Sequence, residues 1–270
     1  MGQTVACANQ KGGVGKTTTV VNLGSYLALA GDRVLVVDLD PQGNATSGLG
    51  IDRAAIDRSV YQAVIDGVPL AELTQPGPLP DLDVVPSTVS LAGAEIELAP
   101  AEGRERRLRR LLDAVVDRYD YVLIDCPPSL GLLTVNALTA ADSVLIPLQC
   151  EYYALEGLTH LLATLDLVRE HLNPDLAIKG IVLTMFDGRT KLSADVAAEV
   201  RRYLGDRVFT TVIPRSVRLS EAPSHGLPIP RYAPDSTGAV AYAALATELK
   251  ERDAAAEAAS RERYDVRVAS

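Results

Sequence analysis

The stretch Ala8-Asn9-Gln10-Lys11-Gly12-Gly13-Val14-Gly15-Lys16-Thr17-Thr18 decides how the rest of this chain is read. It follows an apolar run over residues 5–8 that reads as a strand, and it opens a helical stretch over 17–30. Gly12, Gly13 and Gly15 carry no Cβ, so successive backbone N–H groups can turn toward one point and make a nest for an anion. A helix beginning near Lys16 adds the positive end of its dipole to the same point. Lys16 is placed to reach the β- and γ-phosphates of a nucleotide, and Thr17 offers a hydroxyl to Mg²⁺. The residues expected to bind ATP here are Gly12, Gly13, Val14, Gly15, Lys16, Thr17 and Thr18.

Phosphoryl transfer also needs carboxylates to hold the metal or its waters and to position the nucleophile. Two apolar runs end in them. Tyr121-Val122-Leu123-Ile124-Asp125 closes on Asp125, expected to hold the metal through water. Val34-Leu35-Val36-Val37-Asp38-Leu39-Asp40 closes on two acids, and alternation puts Asp38 and Asp40 on one side if the strand continues that far. Asp40 is the expected water-orienting residue, touching the metal through water, and Asp38 its hydrogen-bonding support.

Outward from these motifs, strands are expected at 5–8, 33–38, 83–85, 121–125, 143–148, 178–184 and 208–212. Helices are expected at 17–30, 104–118, 132–140, 155–172, 193–204 and 237–252, with surface loops at 41–50 and 68–86. Several strands are apolar without alternation, as strands covered on both faces are. The alternation predicts an α/β fold, a mostly parallel twisted sheet flanked by helices. One domain over 1–252 and a frayed tail over 253–270 are expected.

A net charge of −9 in 270 residues excludes a protein that coats nucleic acid by global positive charge. Apolar residues at 47% support a sizeable core. Cys7, Cys126 and Cys150 form no Cys-x-x-Cys pair and read as small buried hydrophobes in a reducing compartment. No apolar run reaches the roughly 20 residues of a membrane span, and with a strand read so near the start, neither a signal peptide nor a leading DNA-reading domain is expected. A cytoplasmic protein is expected.

The motif departs from the usual P-loop spacing, which would put glycine where Gln10 stands, and it carries Lys11 before the double glycine. In that respect it resembles the deviant Walker A motif. Together with Asp38-Leu39-Asp40-Pro41-Gln42-Gly43-Asn44-Ala45-Thr46, Ile124-Asp125-Cys126-Pro127-Pro128, Gln149-Cys150-Glu151-Tyr152-Tyr153-Ala154-Leu155-Glu156-Gly157 and residues 213–224, it resembles the ParA/Soj branch of the deviant Walker A P-loop ATPases. The likeness runs in order to about residue 250. It implies an ATP- and Mg²⁺-dependent hydrolase that forms a nucleotide-sandwich homodimer, binds DNA non-specifically, and is stimulated by a ParB partner at a centromere-like site. It further implies a nucleoid-associated location, with Lys11 acting in trans, Lys16 and Thr17 in cis, and Asp40 preparing the water. Pro214 and Ser216 match the adenine-side loop, where Asn is the more usual residue at Ser216. Arg189 and Arg218 match the family's DNA contacts. The arginine run Arg104, Arg106, Arg107, Arg109, Arg110 reads instead as a solvated helix face.

The main alternative is a MinD-type membrane-cycling ATPase, which needs a C-terminal amphipathic helix with large apolar residues opposite a basic face. Residues 253–262 carry small side chains and acids instead, so no membrane partner is expected. An iron–sulfur reductase of the nitrogenase type would need cysteines in glycine-flanked contexts, which Cys126 and Cys150 lack. A cobyric or biotin-pathway synthase would share the fold, and the segments after Asp125 argue against it.

Overall fold

The computed structural model describes residues 2–151 and 154–268; Met1, Tyr152 and Tyr153 of the Gln149–Gly157 block, and the last two residues lie outside the described residues. Among these, eight strands form one sheet: β1 (Gln3–Cys7), β2 (Val34–Asp38), β3 (Gln75–Pro76), β4 (Leu82–Val85), β5 (Tyr121–Asp125), β6 (Ser143–Gln149), β7 (Ala177–Phe186) and β8 (Val208–Pro214). Their order is β3-β4-β2-β5-β1-β6-β7-β8. Every pair is parallel except β3 with β4. The two-residue β3 was not expected: it lies inside a proline-rich segment and is too short to show a period.

The non-alternating strands are buried on both faces. Leu35, Val37, Val122 and Ile124 join one core, while Val34, Val36, Tyr121 and Leu123 join the other. The second core is covered by the helices Lys16–Leu29 and Thr237–Val268, through Leu23, Leu27, Tyr242, Leu245 and Leu249. Both faces of the central strands are therefore dry, which removes backbone choices other than the ladder.

Several expected boundaries need correction. The segment over 104–118 is not one helix but a 3-10 turn Arg104–Arg106, an α-helix Arg107–Leu112 and a second 3-10 turn Val116–Arg118. The side chain of Asn136 intervenes, its Oδ1 accepting from Leu108 N and its Nδ2 donating to Arg104 O. Nor is the arginine run simply a solvated face. Arg107 donates to the carbonyls of Val64 and Ile65, and Arg109 to that of Thr139. The expected loop over 41–50 contains a short helix, Asn44–Gly48, and that over 68–86 contains Leu70–Leu73. Helices Val60–Asp66 and Leu91–Leu98 were not anticipated. The last helix does not stop at Arg252 but continues to Val268, as its alanine-rich sequence favours. Asp253 ties that extension to the sheet by accepting from Tyr121 Oη and pairing with Lys179.

Candidate functional site

β1 hands the chain to the helix Lys16–Leu29 through a loop that needs left-handed backbone at two points, Gly13 (φ 72°) and Gly15 (φ 89°). Side chains resist that region, which is why these glycines cannot be replaced freely. Gly15 is the N-cap and supplies no capping side chain, so N–H donors of the first turn are left for a ligand. Thr184 Oγ1 donates to Val14 O at 2.8 Å and pins the loop to β7. Asn9 pins it to β6, donating through Nδ2 to Pro147 O at 2.7 Å while Oδ1 accepts from Lys11 N at 3.0 Å. Lys16 is only 6% exposed, and its Nζ donates to Lys11 O at 3.3 Å. Thr17 and Thr18 are half-buried on the same first turn, and Gly12 stands exposed before it.

Strand register brings the acids to this loop. Asp125 of β5 pairs with Cys7 of β1 on one side and with Asp38 of β2 on the other, and both carboxylates are fully buried. Asp38 is satisfied: Oδ2 accepts from Thr46 N at 2.8 Å and Thr46 Oγ1 at 2.7 Å, and Oδ1 from Asp40 N at 3.2 Å. Burial nevertheless pushes Asp38 up to about 6, with the charge of Asp40 adding to the rise against those hydrogen bonds. For Asp125, neither carboxylate oxygen has a hydrogen-bond partner. Burial first, then Asp38, raises its carboxyl well above the ordinary range; the Thr17 hydroxyl and Lys16 oppose the rise. β2 stops at Asp38, so Asp40 does not continue the strand alternation. It begins a turn in which its Oδ1 accepts from Gln42 N and its carbonyl from Gly43 N, both at 2.9 Å.

Three buried carboxylates, Asp38, Asp40 and Asp125, the last accepting no close hydrogen bond, stand beside Lys16, the one buried Lys or Arg among the described residues, and leave an unmet demand for positive charge. Among the described residues no cluster of three or more His, Cys, Asp and Glu side chains could cage a metal by itself. That combination fits Mg²⁺, which takes one or two carboxylates and completes its shell with water and substrate phosphates. The thiols of Cys7 and Cys126 are pushed up by burial and then by Asp125, and all three cysteines are free and buried.

A cavity of about 380 Å³ adjoins the loop, lined by Gly15, Thr17 and Thr18 on one side and Met185, Pro214 and Ser216 on the other. The structure thus brings the expected Pro214 and Ser216 to the phosphate-loop residues. Met185, with its backbone in the left-handed region (φ 50°), was not anticipated, and nothing in its local sequence signals it. A larger cavity, about 580 Å³, lies at the other end of the strands. Its charged groups are spoken for, Lys179 by Asp253 and Asp142 by Thr4 N.

Arg189 and Arg218 lie apart from the acids, just beyond the C-terminal ends of the neighbouring β7 and β8. Arg189 forks onto Asp187, Nε to Oδ1 at 2.9 Å and Nη2 to Oδ2 at 2.8 Å, and holds that carboxyl down to about 2. Arg218 donates to Glu221 at 2.9 Å.

Residues 2–178 match the model of an AAA domain family. The sporulation initiation inhibitor protein Soj of Bacillus subtilis is 60% identical over 249 residues, spanning 92% of this chain and 98% of that protein. The chromosome partitioning protein ParA of Myxococcus xanthus is 55% identical over 253 residues, spanning 94% and 89%. This chain belongs to the ParA/Soj family of chromosome-partitioning ATPases. Members of that family hydrolyse ATP, and the expected α/β P-loop architecture is the one observed. Among solved structures, cobyrinic acid a,c-diamide synthase of Mycobacterium smegmatis with bound ADP and magnesium is similar at a TM-score of 0.80 and 40% identity, covering 92% of this chain and 93% of that one. The cell division ATPase MinD of Pyrococcus furiosus follows at a TM-score of 0.77 and 27% identity, over 93% and 99%. Identity to the ParA/Soj relatives is thus well above identity to either of these. Among the described residues no helix is long and apolar enough to cross a membrane.

Proposed function

We propose that this ParA/Soj-family chain is an ATP-driven partitioning switch: a homodimer that closes on two nucleotides, binds DNA without sequence preference, and is reset when a ParB-type partner stimulates hydrolysis. The observation that carries the nucleotide reading is Asp125, fully buried with both oxygens unpartnered, beside Lys16 and an anion nest. In this reading Gly12 to Thr18 cradle the phosphates, Lys16 neutralises their charge in cis, and Lys11 does so across the dimer. Pro214 and Ser216 flank the adenine. Mg²⁺ would be held by the Thr17 hydroxyl and, through water, by Asp125 and Asp40, where it would neutralise charge on the β- and γ-phosphate oxygens.

Asp40 orients the attacking water. Its N–H donates to Asp38 Oδ1, and Asp38 is in turn held by Thr46 Oγ1, so the carboxylate would meet the water from a fixed turn. Arg189 and Arg218 contact DNA phosphates, and the two-fold dimer doubles each contact, so DNA affinity reports the nucleotide state. A chain with net charge −9 needs such a local device to hold a polyanion. The protein then resides in the cytoplasm on the nucleoid.

The test is co-sedimentation with DNA, with liposomes in parallel, for the native chain and Asp40→Ala with ATP, ADP or no nucleotide. ATP-dependent DNA binding that the variant retains, with turnover lowered roughly 10²- to 10⁴-fold, is expected. Liposome binding in place of DNA binding would instead support membrane cycling, and rapid hydrolysis by the variant would remove Asp40 from its role.

A further inference from the structure

Lys11 is the residue that sets this loop apart, and its side chain is already engaged. Its Nζ lies 2.8 Å from Glu151 Oε2, with the two side chains 39% and 44% exposed. Glu151 is itself held in place: Oε1 accepts from Gln149 Nε2, and its N–H donates to Gln149 O at 2.8 Å. The backbone of Lys11 is gripped from the same strand, through Asn9 to Pro147 O. The C-terminal end of β6 therefore holds Lys11 at both its main chain and its ammonium. Meanwhile the Lys11 carbonyl accepts from Lys16 Nζ. Both lysines of the loop are thus turned onto the chain's own acceptors.

We propose that Glu151 is a cis latch on Lys11, holding the ammonium on its own subunit until the phosphates of a partner's nucleotide draw it away. This rests on the reading of Lys11 as the residue that acts across the dimer. The Gln149 contacts keep Glu151 facing its own loop, so the trans contact forms at the expense of the cis ion pair. A half-exposed pair of this kind biases an equilibrium without blocking it. Its function is discrimination: a nucleotide with less phosphate charge competes less well with Glu151, so the latch raises the contrast between ATP and ADP in driving assembly. Glu151 is a positioning residue that acts through Lys11.

The experiment is sedimentation velocity of the full chain over a range of concentrations with Mg·ATP or Mg·ADP, in an Asp40→Ala background that suppresses turnover. Glu151→Gln keeps the shape and an acceptor for Gln149 but removes the charge. With two latches per dimer, it is expected to tighten ATP-dependent dimerisation by roughly 2- to 30-fold and to increase dimer in ADP. Adding Lys11→Ala should abolish that gain, which a general change in surface charge would not do. A dimer constant that is unchanged or weaker in Glu151→Gln, while the parent dimerises with ATP, overturns the latch alone. A parent that forms no ATP-dependent dimer overturns the sandwich reading and the latch with it.

Discussion

The phosphate-loop end of the sheet and the arginine edge beyond β7 and β8 carry charge in opposite ways. At the loop, Asp38, Asp125 and Lys16 are buried, and the Asp125 carboxylate accepts no close hydrogen bond, with only the Thr17 hydroxyl and the Lys16 ammonium near enough to favour its charge. At the edge, Arg189 is 88% exposed on its side chain and forked onto its own neighbour Asp187. Burial pushes the acids of the first region up, whereas the guanidinium pulls the acid of the second down. The first region is a preorganised, unsatisfied site in which each group counts for a great deal. The second is a screened surface, which in the proposed dimer would gain affinity by repetition.

The largest expected effect tests the buried side. Lys16→Ala removes the one buried Lys or Arg side chain among the described residues, and nucleotide affinity is expected to fall by about 30-fold to several thousand-fold in calorimetric titration. Affinity within about threefold of the native chain would break the contrast.

The next concerns proton linkage. A carboxyl raised by folding contributes stability that is fully present below its unfolded value and lost as pH rises through the folded one. Asp38 therefore makes the nucleotide-free protein less stable as pH rises from about 4 to about 6, and Asp125, also raised, acts in the same direction. Asp125→Asn is expected to raise the thermal midpoint by several degrees at pH 8 and by less at pH 5, at roughly 2–4 °C per kcal/mol for a chain of this size. Mg·ATP should shrink the gain, and an equal gain at both pH values would show that charge burial is not its cause.

On the exposed side the effects are smaller. Arg189→Ala is expected to lower DNA affinity several-fold and to flatten the slope of log K against log salt by about 2, one phosphate contact from each subunit. Unchanged affinity at low salt would remove Arg189 from the interface. Asp187→Asn sharpens the comparison from the other direction. By freeing Arg189 it should raise DNA affinity by a factor of about two, and a fall would mean that the fork orders the arginine for binding.

Much of this was legible in residue order. The seven strands read from apolar runs are all present, and the glycines of the loop announce their left-handed turns. Short or aperiodic elements were not legible, because β3 has two residues and the helix Leu91–Leu98 lies in a stretch without a clear polar face. The strand alternation invoked for Asp40 failed because β2 ends at Asp38. Asp125 was identified from its strand, but its lack of a close hydrogen bond depends on what the register places around it.

The sequence by itself determined which groups carry charge and where the backbone must turn, since those are properties of single residues and their near neighbours: Gly13, Gly15, Lys16, Asp38, Asp125. Only the tertiary structure decided who faces whom. Asp38 meets Asp125 through β2–β5 register, and Lys11 meets Glu151 across 140 positions of chain. Those pairings arise from strand order and burial, which depend on the packing of the whole sheet and not on any local stretch.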